Sequence, residues 1–125
     1  MVFAAPIDKS VGHKTPSPIN PSYASETFYK AMDEFIRGNY KASYSDFMKA
    51  SSAKKTTKGE ASVALYNAAL SAERNKNYNR AMEIYKSILG SKELSPLHKD
   101  SYYRRASCCY ETKKWACVLS NLDNW

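Results

Sequence analysis

The sequence has few of the residue patterns that build catalytic and membrane-spanning proteins. Its four glycines are isolated from one another, so there is no glycine-rich loop to cradle a phosphate group. The two histidines, His13 and His98, have no nucleophile paired with them, and no two carboxylates stand in a setting that favours acid–base chemistry. No apolar run approaches the length of a membrane span. We therefore predict no enzyme activity, no cofactor or metal site, and no transmembrane segment.

Cysteine is also scarce. The three cysteines are Cys108, Cys109 and Cys117, and none of them forms a Cys-x-x-Cys pair. Adjacent cysteines rarely bridge each other, whereas a disulfide between Cys109 and Cys117 is compatible with a helical hairpin. The alternative is that all three are buried thiols, since free cysteine is among the most buried residue types. The sequence leaves both alternatives open.

Acidic residues are outnumbered, with 12 Asp and Glu against 19 Lys and Arg and a formal net charge of +7. A basic balance favours acidic partners, nucleic acid or anionic membrane surfaces. The positive charges are dispersed along the chain, however, and no basic stripe alternates with aromatic residues. This pattern disfavours a nucleic-acid-binding protein. The ten tyrosines instead favour protein contacts, because Tyr offers a rigid amphipathic surface at low entropic cost.

The strongest positive feature is an internal repeat. Three similar windows begin at Phe28, Leu65 and Tyr102, at intervals of 37 residues. Each window contains an amphipathic helix, a polar turn and a second amphipathic helix, with small residues such as Ala69 and Ala106 where helices must approach closely. Paired helices that recur at this spacing are typical of a solenoid, because one hairpin cannot bury its apolar face alone. We therefore predict an all-α fold.

The repeated positions also carry a family pattern. Copy one has Gly38–Asn39–Tyr40, Ser43, Phe47 and Ala50; copy two has Leu65, Ala69, Asn77–Tyr78, Ala81 and Tyr85; copy three has Tyr102, Ala106, Trp115, Val118 and Leu122. This pattern resembles that of the tetratricopeptide repeat family, except that the turn glycine is present only in copy one. The resemblance implies a right-handed α-solenoid of three stacked helix-turn-helix hairpins, with repeats at about residues 24–56, 58–92 and 95–125.

Residues 1–22 differ in composition from the predicted domain at residues 23–125. Four of the five prolines fall within this short stretch, which predicts an extended or disordered tail. Its start, Val2–Ala5, is similar to the end of a secretory signal peptide. An exported or periplasmic protein is one reading of this feature, and an ordinary tail on a cytoplasmic protein is the other.

Capping signals set the predicted helix limits. The first predicted helix starts between Ser22 and Ser25 and ends at Arg37, and the second runs from Tyr40 to Ala53. The third follows a capping box at Thr57-x-x-Glu60 and ends at Asn75, and the fourth runs from Asn79 to Leu89. The fifth starts with Ser95 as its cap and Pro96 in its first turn and ends at Thr112, and the sixth starts near Lys114. We also predict that Gly90 adopts the left-handed conformation that often follows a helix end. No polar capping helix follows the third hairpin in the sequence.

The family resemblance implies a concave groove lined by the first helix of each hairpin. The residues expected to line it are Tyr29, Lys30 and Asp33 in copy one, Tyr66, Asn67 and Leu70 in copy two, and Tyr103, Arg104, Ser107 and Tyr110 in copy three. An Asn side chain can bond both the C=O and the N–H of an extended ligand. An Arg can bind a carboxylate through two hydrogen bonds. The alternative is that these tyrosines only pack between helices and the arginine only solvates a surface.

Three functional hypotheses follow. The first is a non-enzymatic protein–protein interaction scaffold that binds a partner's peptide in the groove. A carboxylate clamp is disfavoured, because Asp100 stands where such clamps have a lysine. The second hypothesis is self-association, in which residues 14–22 or the uncapped C-terminal helix pack on another copy of the chain. The third is a basic surface that binds nucleic acid or anionic lipid.

Overall fold

The computed structural model describes residues 2–3, 18–20, 24–54 and 56–125. Within these ranges it contains six α-helices: α1 Glu26–Ile36, α2 Tyr40–Ser52, α3 Lys58–Arg74, α4 Tyr78–Leu89, α5 His98–Glu111 and α6 Trp115–Asn124. A 3-10 helix, Lys92–Leu97, precedes α5, and two short strands, β1 Val2–Phe3 and β2 Ile19–Asn20, pair in antiparallel orientation. The predicted all-α class is confirmed. Most of the predicted tail, including Ala4 and Ala5 of the signal-like segment, lies outside the described residues.

The same turn closes each of the three helical hairpins. Gly38, Lys76 and Lys113 have positive φ angles of 84°, 64° and 60°. In each turn the N–H of this residue donates to the carbonyl three residues earlier, and the next N–H donates to the carbonyl five residues earlier, at 2.8–3.0 Å. This pair of bonds is the Schellman motif, which satisfies the free carbonyls at a helix end. The predicted repeat is therefore visible in the backbone, with one extra residue between the first two turns.

The core forms where consecutive helices pack against each other. Each α-helix makes its main contacts with the helices immediately before and after it in the chain. Large fully buried side chains fill the interior, among them Phe28, Phe47, Tyr85 and Ile88. The alanines Ala69 and Ala81 are also fully buried in this interior. Between hairpins, α2 and α3 are also joined by a bond from the Ser43 hydroxyl to the Ser71 hydroxyl at 2.7 Å.

Side-chain caps begin α1 and α3. The Ser25 hydroxyl accepts from the N–H of Phe28 at 3.2 Å, and the Thr57 hydroxyl accepts from the N–H of Glu60 at 3.1 Å. Each cap satisfies one of the N–H groups that a helix start leaves free. The Glu60 carboxylate does not complete the predicted capping box, because it bonds Ser25 instead.

Two local predictions between α4 and α5 are wrong. Gly90 is right-handed, with φ of −79°, because the chain continues into a 3-10 helix and needs no left-handed reversal. Ser95 does not cap α5, since Ser95 and Pro96 lie inside that 3-10 helix and α5 begins only at His98. The His98 Nε2 lies 2.9 Å from the Ile88 carbonyl oxygen and so ties the start of α5 to the end of α4.

The third hairpin contains a disulfide. Cys109 of α5 and Cys117 of α6 are bonded, with their Cα atoms 5.7 Å apart, a separation usual for disulfides. Cys108 is a buried free thiol.

None of the helices in the described ranges combines the length and the apolar character needed to cross a lipid bilayer.

Candidate functional site

Asn67 is bonded to an extended segment of the chain's own N-terminal region. It lies in the middle of α3 and is fully buried. Its Oδ1 accepts from the N–H of Ile19 at 2.9 Å, and its Nδ2 donates to the carbonyl oxygen of Ile19 at 2.8 Å. One amide side chain therefore satisfies both backbone polar groups of a single residue. This is the contact expected of Asn67 with an extended ligand, made here within one chain.

The segment on Asn67 is closely held. Pro18 is fully buried and Ile19 is 3% exposed, while Ile19–Asn20 also pairs with Val2–Phe3. Residues 18–20 therefore lie between a helix on one side and a strand on the other. We call the surface of α3 around Asn67 on which these residues lie the Asn67 site.

A second anchor on α3 fixes the direction of this segment. Glu60 is 3% exposed, and its carboxylate oxygens accept from the N–H of Ser25 at 2.5 Å and from the Ser25 hydroxyl at 3.0 Å. Glu60 and Asn67 are seven positions apart, which is two turns or about 10 Å along one face of the helix. Since Ile19 lies at Asn67 and Ser25 at Glu60, the chain crosses α3 in the direction opposite to that helix.

Arg104 forms a buried ion pair with Glu73. Its Nε donates to Glu73 Oε1 at 3.2 Å, and its Nη2 donates to Glu73 Oε2. The Tyr85 hydroxyl donates to the same carboxylate at 3.1 Å. The Arg104 and Glu73 side chains are each only 10% exposed. The guanidinium predicted to bind a ligand carboxylate therefore already holds a carboxylate of its own chain, and it joins α5 to α3.

Burial perturbs the ionisable groups around this ion pair. It raises the pKa of Tyr66, which is 3% exposed and packs edge-on against Tyr85 at 5.8 Å between ring centroids. The pKa of Tyr85 is raised for the same reason. Burial also raises the pKa of the Cys108 thiol, with the Glu73 charge acting in the same direction. These groups stay neutral at physiological pH, so the cluster offers no activated nucleophile. For Arg104, burial lowers the pKa, but the hydrogen bond and charge of Glu73 raise it by more.

The predicted groove residues of copy one, Tyr29, Lys30 and Asp33, lie on the exposed surface of α1. Tyr29 is 52% exposed, and its ring touches only the edge of Phe28 among aromatic neighbours in the described part of the chain. Lys30 reaches Asp46 of α2 at 3.6 Å, and Asp33 forms an ion pair with Arg37 at 2.9 Å. These residues are exposed, whereas Tyr66 and Leu70 of copy two are buried. The four predicted groove tyrosines therefore differ in exposure, since Tyr66 is buried whereas the other three are 42–61% exposed.

The predicted residues of copy three meet in a separate shallow hollow. A cavity of about 230 Å³ between α5 and α6 is lined by Tyr103, Ala106, Ser107, Tyr110, Val118 and Leu122. Two tryptophans of the same hairpin flank it. Trp125 packs on Tyr103 at 5.3 Å, and Trp115 packs on Tyr110 at 5.5 Å. The structure thus brings Tyr103, Ser107 and Tyr110 together around an apolar cavity. Arg104 does not line this cavity, although its guanidinium carbon lies 5.5 Å from the centroid of the Tyr103 ring.

Sequence reasoning missed the two residues that complete the site. Ile19 lies in residues 14–22, which were considered only as a tail that could pack on another copy of the chain, and Glu60 was interpreted only as a capping residue. The hydrophobic Pro18–Ile19 pair amid polar residues was the signal that could have indicated a docked segment. Within the part of the chain that the structure describes, no group of three or more His, Cys, Asp or Glu residues could hold a metal ion.

Comparisons with protein-family models, with curated proteins and with solved structures find no match to this chain. The binding chemistry of the Asn67 site is therefore inferred from the residues of the site itself.

Proposed function

We propose that this chain is a non-enzymatic protein–protein interaction module that binds an extended peptide segment of a partner protein. In this proposal the three hairpins stack as a right-handed, tetratricopeptide-like α-solenoid. Two observations support that architecture: the helices pack in chain order, and one Schellman turn recurs at Gly38, Lys76 and Lys113. Such stacking leaves an extended surface along the first helices of the hairpins, which is the surface that repeat proteins use for binding.

The observation that carries the binding role is the pair of hydrogen bonds from Asn67 to Ile19. A buried amide that bonds both the N–H and the C=O of one extended residue recognises a backbone, and this recognition does not depend on the side chain. Main-chain hydrogen bonds of this kind supply affinity in strand-type peptide recognition, while adjacent pockets supply specificity. At this site the pocket is apolar, because it buries Pro18 and Ile19.

The same geometry argues against a carboxylate clamp. Asn67 is available to a backbone, but Arg104 holds Glu73 in a buried ion pair. Releasing Arg104 to a ligand would leave the Glu73 carboxylate buried without its partner, which is strongly unfavourable. The proposed ligand is therefore recognised along an internal extended segment rather than at its carboxyl terminus.

A peptide-display experiment tests the proposal. A library of random decapeptides is panned on the wild-type chain and on the Ile19→Asp variant, whose buried charge is expected to drive the segment off Asn67. Selected peptides are then titrated against Ile19→Asp, in which the segment no longer occupies Asn67, and against the same variant carrying Asn67→Ala or, as a matched control, Asn79→Ala, which changes an exposed Asn of α4. We expect the added Asn67→Ala to weaken binding about tenfold or more, since two hydrogen bonds are lost, and the added Asn79→Ala to leave it unchanged. The proposal is refuted if neither chain selects a peptide, or if folded Ile19→Asp/Asn67→Ala binds as tightly as Ile19→Asp.

Self-association is a second candidate, favoured by one observation. Trp115, Leu119, Leu122 and Trp125 of the third hairpin are 40–65% exposed, and clustered apolar exposure of this kind marks interaction surfaces. The occupant of this face in the second candidate is the same face of a second copy. Light scattering of wild type and Leu119→Lys tests it: a dimer that Leu119→Lys dissociates supports this candidate, and a wild-type monomer at high concentration rules it out.

A further inference from the structure

The Asn67 site is already filled by residues 18–20 of the same chain. Each polar group that the site offers to a peptide backbone is in use: Asn67 Oδ1 holds the Ile19 N–H, and Nδ2 holds its C=O. The apolar part is in use as well, since Pro18 and Ile19 are buried there. A peptide from a partner cannot make these contacts while the segment is in place.

The segment is also tethered near the site. Ser25, only six residues after Ile19, is fixed to Glu60 two turns away on the same helix. A segment on so short a connection competes at an effective concentration on the order of 1 mM. This local concentration holds the segment on Asn67 even if its intrinsic affinity is weak.

We propose that residues 18–20 are a built-in competitor of the partner peptide, and that the partner carries the same chemistry: an extended segment in which a proline precedes an aliphatic residue. This inference rests on the proposed function, whose site it specifies. Binding of such a partner is then coupled to release of the chain's own segment.

The chemistry of the proposed ligand follows from what the site buries. Proline has no N–H group, so the buried position of Pro18 requires no hydrogen-bond acceptor from the protein. The next residue must have a free N–H and C=O to meet both atoms of Asn67, and an uncharged apolar side chain, because burying an unpaired charge is costly. A proline at the position of Ile19, or a charged residue there, is excluded on these grounds.

A competition experiment with the full chain tests the proposal. The probe is a fluorescent peptide of residues 14–23, KTPSPINPSY, and its binding is followed by anisotropy. For a peptide with a dissociation constant of about 0.05 mM, a competitor at about 1 mM weakens the apparent affinity by about 20-fold. We therefore expect Ile19→Asp to bind the peptide about 20-fold more tightly than wild type does, and Ile19→Asp/Asn67→Ala to lose this gain. Ile19→Ala, which adds no charge, is expected to give a smaller gain.

Two altered peptides act as matched controls. One carries N-methylisoleucine, which removes the N–H that Asn67 Oδ1 accepts, and the other carries Asp in place of the isoleucine. Both are expected to bind Ile19→Asp at least about tenfold more weakly than the unaltered peptide, since each loses a buried contact. Circular dichroism establishes that each variant retains its helical content.

The outcomes separate this inference from the proposed function. If the unaltered peptide binds equally well to wild type and to both folded Ile19 variants, residues 18–20 do not act as a competitor. Peptides selected from the display library can still bind in that case, so the proposed function is not affected. Failure of the display library on both chains overturns the proposed function itself. Normal binding of the N-methylated peptide overturns the assigned ligand chemistry.

Discussion

Replacing Asn67 with Ala should destabilise the protein by releasing residues 18–20. If the segment stayed docked, the N–H and C=O of Ile19 would be buried without partners, at about 1–3 kcal/mol each. If it leaves, the protein loses two hydrogen bonds of about 1 kcal/mol each and the burial of Pro18 and Ile19, together worth about 3 kcal/mol. Freeing three residues returns about 1 kcal/mol of conformational entropy each. Release is the cheaper response, so we expect a net loss of about 2 kcal/mol in the free energy of unfolding.

A double-mutant cycle in urea, followed by circular dichroism, measures this effect. Ile19→Asp should release the same segment, so the two substitutions should not have additive effects. The stability of the double variant should lie within about 0.5 kcal/mol of that of the less stable single variant. Asn79→Ala, on the exposed surface of α4, should change stability by less than about 0.5 kcal/mol. Additive effects of Asn67→Ala and Ile19→Asp, or equal effects of Asn67→Ala and Asn79→Ala, would show that Asn67 does not hold residues 18–20 in place.

Three further predictions concern the scaffold. Lys76→Gly should stabilise the protein by about 1 kcal/mol, because Lys76 has a left-handed φ of 64° that glycine adopts without strain; a loss of stability in urea unfolding would contradict this. Glu73→Gln should destabilise by about 3 kcal/mol, since it leaves the Arg104 charge buried without a counter-ion, and a thermal midpoint equal to that of wild type would show that the ion pair is not needed. Glu34→Gln tests a pH effect, because burial and then Asp46 raise the pKa of Glu34. Because the pKa of this carboxyl group is raised in the folded protein, its ionisation lowers the stability of wild type as pH rises. Glu34→Gln should therefore have a larger free energy of unfolding than wild type at pH 7, and the difference should disappear toward about pH 4. A difference that does not change with pH would contradict this prediction.

The sequence predicted the helices well, because local signals determine them. Ser25 and Thr57 begin α1 and α3 as capping residues, and capping and turn signals placed the ends of the helices within one or two residues in most cases. The repeat interval likewise reappears in the positions of the three left-handed turn residues. The region from Gly90 to Ser95 was predicted less well, since a 3-10 helix uses the same residue types as a turn or a helix cap.

The candidate site could be predicted only in part. The family resemblance predicted Asn67 as a groove residue that could bond an extended backbone, but not that Ile19 of the same chain would be its partner. It also placed Arg104 on a ligand-binding surface, whereas the structure pairs it with Glu73. Both contacts join residues more than thirty positions apart. Helical periodicity reports which face of a helix is apolar, and it carries no information on which distant residue meets a polar position on that face.

Hydrogen exchange at the Ile19 amide, measured by NMR with and without a saturating amount of a selected peptide, tests the binding role of Asn67 most directly. This N–H is buried and bonded to Asn67 Oδ1, so it should exchange slowly in the free protein. If a partner peptide takes the place of residues 18–20, the exchange rate should rise by about tenfold or more when the peptide binds. An Ile19 amide that stays equally protected while the peptide is bound would contradict the account, since the peptide would then lie elsewhere on the molecule.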